Sequence, residues 1–470
     1  MNTTAVIVLL IYGLILGTIG IWASRRVRGA QDFYVAGRRL GPGLLAATVL
    51  AANIGSGTTV GVTGLAYEIG VAALWWTGSA VLGTLVLALT IGPRMWRVAR
   101  DLDCCTVGDY LEIRFGFSLR AIVVGFLWVG SIPLLISQIV AIGYVVEAFS
   151  GVGLRYGIVG GSTVVLIYYV SGGLWSSAVV NVVQLTVKLI AFPIVLLAAA
   201  RVVGGFGALQ AGATSMPPGY LSPLSVGGLG IAGYVTVLGI SFVISPGLLQ
   251  KVFGARDEAC VRQGMLLSAF GLACFAGIPV ALGILARSYW PVPLSLEGTG
   301  WVLPQILVEM LPPSVGLLAL AAVVSAELSS ADAVLFMLST SMARDFYQRL
   351  WNRDLDDAGL LRAGRIAAVI GLAISVIIAL FYPSILGALS AFYAILVVVL
   401  TVPLVAGLYC PRTTHAAALS SVAASVVVWL GTLWFTRALP GPGNLWPSLL
   451  GIMAGAIVCG IVTLRHSSTP

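Results

Sequence analysis

Ala51-Ala52-Asn53-Ile54-Gly55-Ser56-Gly57-Thr58-Thr59 lies inside a long apolar segment and interrupts it with glycines, hydroxyls and one amide. Far downstream, a second apolar segment carries Ala326-Glu327-Leu328-Ser329-Ser330-Ala331-Asp332. Hydrocarbon cannot hydrogen-bond a broken helix, so irregular backbone at membrane depth survives only inside protein or along a cavity. Discontinuous helices whose freed carbonyls face hydroxyls on another helix are how secondary transporters build midplane sites for a cation and a solute. The pairing points to transport.

Composition places these segments in a membrane. Of 470 residues, 59% are hydrophobic, only 9% are charged, and 57 are glycine, which excludes an ordinary soluble domain and reads as an all-α polytopic membrane protein. At roughly 20 apolar residues per crossing, about thirteen spans are expected: 4–23, 42–66, 71–92, 120–148, 156–172, 178–200, 228–246, 263–287, 314–343, 364–382, 385–409, 416–435 and 446–464. Met1-Asn2-Thr3-Thr4 offers no basic n-region and no small-residue cleavage site follows, so the first stretch is expected to remain as a span.

Arg25, Arg26, Arg28, Arg38 and Arg39 follow the first span, and Arg94, Arg97, Arg100, Arg114 and Arg120 follow the third. Of the 25 basic residues, only Arg155, Arg201, Arg287 and Arg437 fall on the opposite side, with Lys188 inside a span. The positive-inside rule then puts the N-terminus outside and the C-terminus in the cytoplasm of a cell (plasma or inner) membrane. Loops facing anionic lipid account for the net charge of +8 without nucleic acid. Cys104, Cys105, Cys260 and Cys410 fall in or near cytoplasmic loops and Cys274 and Cys459 in spans, so no disulfide framework is expected, and Cys104-Cys105 lacks the further ligands of a zinc site.

The chain reads as a single transmembrane domain, 1–470. Spans two to six (about 42–200) and seven to eleven (about 228–409) form two sets of five with opposite orientation, leaving 4–23, 416–435 and 446–464 as extra helices. The first helix of each set is interrupted: at Asn53 to Gly57 in span two, and near Gly239-Ile240-Ser241 and Ser245-Pro246-Gly247 in span seven. Matched interruptions in two halves are the best sequence pointer to a transporter site. The stretch from Arg344 to Arg365, with Asp345, Asp354, Asp356 and Asp357, reads as a solvated linker, and the exterior stretch from Tyr289 to Pro313 as short interfacial helices.

With these residues assembled, the chain resembles the sodium:solute symporter family, whose LeuT-like fold is a five-plus-five inverted repeat. The likeness rests on Asp32-Phe33-Tyr34-Val35-Ala36-Gly37-Arg38, on Thr106-Val107-Gly108-Asp109-Tyr110-Leu111-Glu112 leading to Arg114-Phe115-Gly116, and on Gly172-Gly173-Leu174-Trp175 with Asn181-Val182-Val183-Gln184. It continues through Gln250-Lys251 with Ala255-Arg256, in the loop after span seven, and Ser329-Ser330-Ala331-Asp332 with Arg344-Asp345. The resemblance implies one coupling sodium held by the carbonyls of Ala51, Ile54 and Ala326 and the hydroxyls of Ser329 and Ser330. Helical geometry agrees: at about 100° per residue, Ala326, Ser329 and Ser330 share one face, and sodium, like the hard divalent ions, prefers oxygen. No other cofactor is expected. Asn181 stands where many relatives have an aspartate tied to a second sodium site or the exit path, so a single coupling ion is expected.

The resemblance also implies a solute site from spans two, three, four and seven, here Asn53, Thr58, Thr59, Trp75, Ser79, Gln138, Ser241 and Phe242. Trp75 doubles as a candidate interfacial anchor. Sugar carriers of the family use more amide and acidic groups, and an aromatic gate where this chain has Ser241, so a small amino acid, carboxylate or vitamin-like acid is expected instead. Span four carries no basic clamp, but a carboxylate has free N–H groups at a broken-helix N-terminus.

Two intramembrane charges remain, Lys188 and Glu327. Each costs about 3 kcal/mol near the bilayer centre unless it has a partner or a task. Three readings stand: the two compensate one another; Lys188 replaces the cation, giving sodium-independent or proton-linked transport; or Lys188 snorkels and Glu327 is a protonated packing residue. For the whole chain, sodium-driven symport by alternating access leads. A solute sensor usually appends a signalling domain, whereas only Arg465-His466-Ser467-Ser468-Thr469-Pro470 follow the last span. An enzyme is disfavoured, because His415 and His466 are the two histidines and no phosphate-binding loop appears.

Overall fold

The second span stops where its sequence loses the means to continue. Helix α1 (Thr3–Ser24) comes first, and α2 (Pro42–Asn53) begins with proline in its first turn, where a missing N–H costs nothing. Ile54 then leaves the helical region at φ −90°, ψ 81°. Gly55 follows because nothing larger fits: a Cβ there would lie 2.1 Å from Ser330 Oγ and 3.2 Å from Gln138 Oε1. The chain resumes as a wide π turn, Gly57–Gly61, which leads into α3 (Val62–Ile69).

The computed structural model describes residues 3–25, 30–169, 174–205, 216–292, 298–348, 357–437 and 439–467. Arg26, Arg28, Gly172, Gly173, Asp354 and Asp356 lie outside the described residues. The structure is 86% helical, and among the described residues the β-type pairing is one isolated bridge between Leu40 and Ala255. Among the described residues, ten helices are long and apolar enough to cross a membrane, and Ile7–Ala23, Pro42–Asn53 and Leu154–Leu166 are shorter apolar helices.

The elements that build the site are α4 (Leu74–Val86), α5 (Val107–Phe115), α6 (Phe117–Ser150), α7 (Leu154–Tyr169) and α8 (Leu174–Val202). In the second half they are α9 (Ile240–Ile244), α10 (Pro246–Phe253), α11 (Glu258–Tyr289), α12 (Val302–Gln305), α13 (Pro313–Thr340), α14 (Asp357–Phe381) and α15 (Ile385–Tyr409). The chain closes with α16 (His415–Thr436) and α17 (Trp446–Ser467). Helix α8 packs against α13 and α2, α11 against α2, α3 and α4, and α6 against α15.

Span seven breaks at one of its two expected places. Ser245 adopts φ −52°, ψ 121° ahead of Pro246, which disfavours helical backbone in the residue before it. Gly239-Ile240-Ser241 stays helical, at the end of a π segment, Tyr234–Gly239. Close packing there depends on the partner glycine: a Cβ on Gly83 of α4 would lie 2.1 Å from Gly239 O, whereas one on Gly239 would meet only Ser79 O at 3.5 Å. Gln250 and Lys251, expected in a loop, are buried within α10. In the stretch from Tyr289 to Pro313, described residues do fold as short helices, α12 and a π turn Ile306–Met310, anchored by Trp301 against Tyr67 at 5.3 Å between ring centroids.

Candidate functional site

The break in α2 and the middle of α13 meet around a single point, and the ammonium of Lys188 occupies it. Lys188 Nζ donates to Ala51 O at 2.7 Å, Ile54 O at 3.0 Å and Ser329 Oγ at 2.6 Å. An ammonium has three donors and no acceptor, so the three oxygens satisfy it fully. Ser329 Oγ is itself directed at Ala51 O (2.8 Å) and Ala326 O (3.1 Å). Four of the five oxygens expected around sodium are thus assembled, three of them directly on Lys188 and Ala326 O behind Ser329. The fifth, Ser330 Oγ, donates instead to Ala52 O at 2.8 Å.

Lys188 is 0% exposed and does not snorkel. Glu327 is equally buried, but the two form no ion pair among the described residues. Glu327 Oε1 accepts from Thr59 Oγ1 at 3.2 Å, while Oε2 has no partner. On α8, Ser177, Asn181, Gln184 and Lys188 fall three or four residues apart on one buried face. Asn181 Nδ2 donates to Thr48 Oγ1 at 3.0 Å, Ser177 Oγ donates to Asp332 Oδ2, and both polar ends of Gln184 are unpartnered. Lys251, one layer away, donates to Thr48 O at 2.8 Å.

Beside the cage lies a cavity of about 110 Å³. Asn53, Thr58, Gln138, Ser241 and Phe242 line it, as do Ser56, Lys251 and Ser330. Its aromatic walls are Trp76, Phe392 and Tyr393 as well as Phe242. Phe242 and Tyr393 stand 6.0 Å apart, Trp76 and Tyr393 6.2 Å. The remaining expected residues sit elsewhere. Trp75 donates its N–H to Pro223 O at 2.8 Å in an exposed position, and its neighbour Trp76 turns inward. Thr59 faces Glu327, and the Ser79 hydroxyl is buried without a partner outside the lining. Sequence reasoning missed Trp76, Phe392 and Tyr393, because an aromatic in an apolar span carries no sign of which way it faces. It also missed Lys251 as a lining residue, although a lysine soon after the Ser245-Pro246 break was a usable signal.

Where α5 meets α6, a second buried cation organises the two helices. Arg120, with its side chain 1% exposed, bonds Asp109 at 3.0 Å and also pairs with Glu112 and Asp345. Thr106 caps α5 by accepting from Asp109 N–H at 3.0 Å and donates to Asp345 Oδ1 at 2.9 Å. Gly108 allows this approach, since a Cβ there would lie 2.8 Å from Asp345 Oδ1. Burial pushes the neighbouring Cys104 thiol up to about 12, so it stays protonated and is a poor metal ligand. The described residues hold no group of three His, Cys, Asp or Glu able to bind a metal ion.

A discontinuous helix, a cation cage at its break and a lined cavity beside it define a secondary transporter. The profile of the sodium:solute symporter family matches residues 33–424. The sodium/glucose cotransporter of Vibrio parahaemolyticus is 26% identical, over 99% of this chain and 91% of its own. The sodium/proline symporter of Staphylococcus aureus (strain JH9) is 24% identical, over 74% of this chain and 69% of its own. Among solved structures, a Na⁺-coupled sialic acid symporter in a substrate-bound outward-open state superposes with a TM-score of 0.80 at 19% identity, covering 98% of both chains. The chain belongs to the sodium:solute symporter family: it is a multi-pass membrane protein of LeuT-like fold that couples solute movement to sodium, and not an enzyme.

Proposed function

We propose that the chain carries a small amino acid or other carboxylate with an apolar body into the cytoplasm together with one sodium ion. The convergence of Ala51 O, Ile54 O and Ser329 Oγ on one cation-sized point, at the wall of the solute cavity, carries this reading. Sodium is held there, with Ala326 O behind Ser329 and Ser330 joining from the cavity side. Its binding ties the broken α2 to α13 and fixes the walls of the solute site.

The solute's apolar part lies against Trp76, Phe242 and Tyr393. Its polar end meets Asn53, whose Nδ2 has no partner, together with Thr58 and Gln138. A cavity of about 110 Å³ is well below the roughly 300–1,000 Å³ typical of drug-sized ligands, which favours a modest solute over a sugar. Spans two, three, seven and eight then rock against the remaining helices, between repeats 42–200 and 228–409. The N-terminus faces outward and the C-terminus the cytoplasm, as the arginine distribution supports.

Proteoliposome uptake of labelled amino acids, small carboxylates and sugars, with and without an inward sodium gradient, tests this. A small carboxylate accumulated above its sodium-free level is the expected result. Accumulation of sugars alone overturns the solute class, and no sodium-driven uptake of any solute overturns the function.

A further inference from the structure

We propose that Lys251 anchors the solute's carboxylate, and so makes the site choose an anion over its uncharged analogue. This rests on the proposed function, which gives the solute a carboxylate and leaves its counter-charge unassigned. Among the described residues lining the cavity, Lys251 is the one with a formal charge, and no acid stands in the wall to oppose it. Lys251 is 4% exposed, so its ammonium is withdrawn from bulk water. A buried charge at membrane depth is costly unless it has a partner or a task.

The two buried lysines of the site differ in what answers them. Lys188 gives all three of its hydrogens to Ala51 O, Ile54 O and Ser329 Oγ. Lys251 donates to Thr48 O at 2.8 Å, its one hydrogen-bond partner among the described residues. An ammonium has three hydrogens to give, so two are left for a ligand. On α13, Asp332 is bonded to Ser177 of α8 and forms no ion pair with Lys251 among the described residues. A tie between α10 and α2 needs only a neutral donor; the full charge exceeds that task.

Position puts this ammonium within the solute's reach. In a helix the carbonyl of one residue faces the N–H four residues on, so Thr48 O lies beside Ala52, which with Asn53 forms part of the cavity wall. Asn53 Nδ2, buried and without a partner, is a second donor just past that turn. An amide N–H and an ammonium together suit the two oxygens of a carboxylate, and bonds to a charged group are the strong ones. Space remains at this end of the cavity: a Cβ added to Gly247, which lines it, would meet nothing closer than Met337 Sδ at 3.8 Å. The solute's apolar body then extends toward Trp76, Phe242 and Tyr393.

The test compares a carboxylate with the primary amide of the same size. Full-length protein in proteoliposomes takes up the labelled carboxylate that the uptake panel identifies, at saturating sodium. The unlabelled carboxylate and its primary amide compete, with propionate and propionamide as a second pair. Wild type should favour each carboxylate by roughly ten- to a hundredfold, the factor for a hydrogen bond to a charged group. Lys251→Gln keeps a donor for Thr48 O without the charge, and Lys251→Met removes both. Each should bring the ratio close to one by weakening the carboxylate alone, while Lys251→Arg keeps a preference above theirs. The half-saturating sodium concentration, read at saturating solute, should stay near wild type, and size exclusion checks that each variant is folded.

A wild type that treats carboxylate and amide alike overturns the anchor, and needs no variant. A carboxylate preference that persists in Lys251→Gln or Lys251→Met also overturns it. In both cases sodium-driven uptake of the carboxylate leaves the proposed function standing. Folded variants that lose carboxylate and amide equally, or whose sodium requirement shifts as far, assign Lys251 to structure and overturn the anchor as well. Sodium-driven uptake of sugars alone overturns the anchor and the proposed solute class together.

Discussion

Lys188 and Arg120 are both buried cations, and they are held in opposite ways. Around Lys188 stand two peptide carbonyls and a hydroxyl; around Arg120 stand Asp109, Glu112 and Asp345. Carboxylates left behind by a departing cation would be stranded in a low-dielectric setting, so a cation held by them is fixed. Carbonyl and hydroxyl dipoles carry no net charge, and any small cation can replace the one they hold. The arginine cluster therefore clamps α5, α6 and the end of α13 together, whereas the lysine cage holds its cation by neutral dipoles alone. The difference lies in the ligands, and mutations can separate the two.

The largest effect is expected at the clamp. Arg120→Ala strands three carboxylates around a cavity, at a cost of about 3–5 kcal/mol, and should abolish recovery of folded protein, as seen by thermal melting or fluorescence-detected size exclusion. Lys188→Met strands only neutral dipoles and should fold. Equal losses at the two positions would break the comparison. Asp345→Asn is milder, because Arg120 keeps Asp109 and Glu112; about 1–3 kcal/mol of stability should go, with the sodium requirement of the remaining protein unchanged.

Within the cage, Ser329 and Ser330 should separate. Ser329 Oγ contacts the cage cation, whereas Ser330 Oγ serves Ala52 O. A hydrogen bond to a charged group is worth about 1.5–3 kcal/mol, so Ser329→Ala should raise the half-saturating sodium concentration roughly ten- to a hundredfold. Ser330→Ala should do less to sodium and more to solute affinity, since Ser330 lines the cavity. Uptake measured at varied sodium and varied solute distinguishes these outcomes. A larger sodium effect from Ser330 would reassign the cage.

Much of this was legible in the chain. Gly55 announces the break because a glycine-rich run in an apolar span leaves backbone without partners, and the structure supplies the steric reason at Ser330. Thr106-Val107-Gly108-Asp109 read only as a family likeness; it is a capping box with a close approach to Asp345 at its glycine. The meeting of Lys188 with Ala51 and Ile54 was not legible, since residues separated by 137 and 134 positions are joined by packing alone. Nor was the choice of Trp76 over Trp75: both follow the same apolar pattern, and which indole faces the cavity depends on where α4 begins.

The smallest expected effect sharpens the contrast most. Glu327 makes no bond to Lys188 among the described residues, so any charge it carries reaches the cage only as a field and not as a ligand. Glu327→Gln removes that charge while its side-chain oxygen can still accept from Thr59, and its size is nearly unchanged. The protein should fold, since the bond from Thr59 is kept and the volume hardly changes. With no ligand lost from the cage, the half-saturating sodium concentration should change less than for Ser329→Ala, as uptake at varied sodium will show. A sodium effect as large as that of Ser329→Ala would make Glu327 a ligand of the cage, and the contrast between neutral and charged holders would fail at that point.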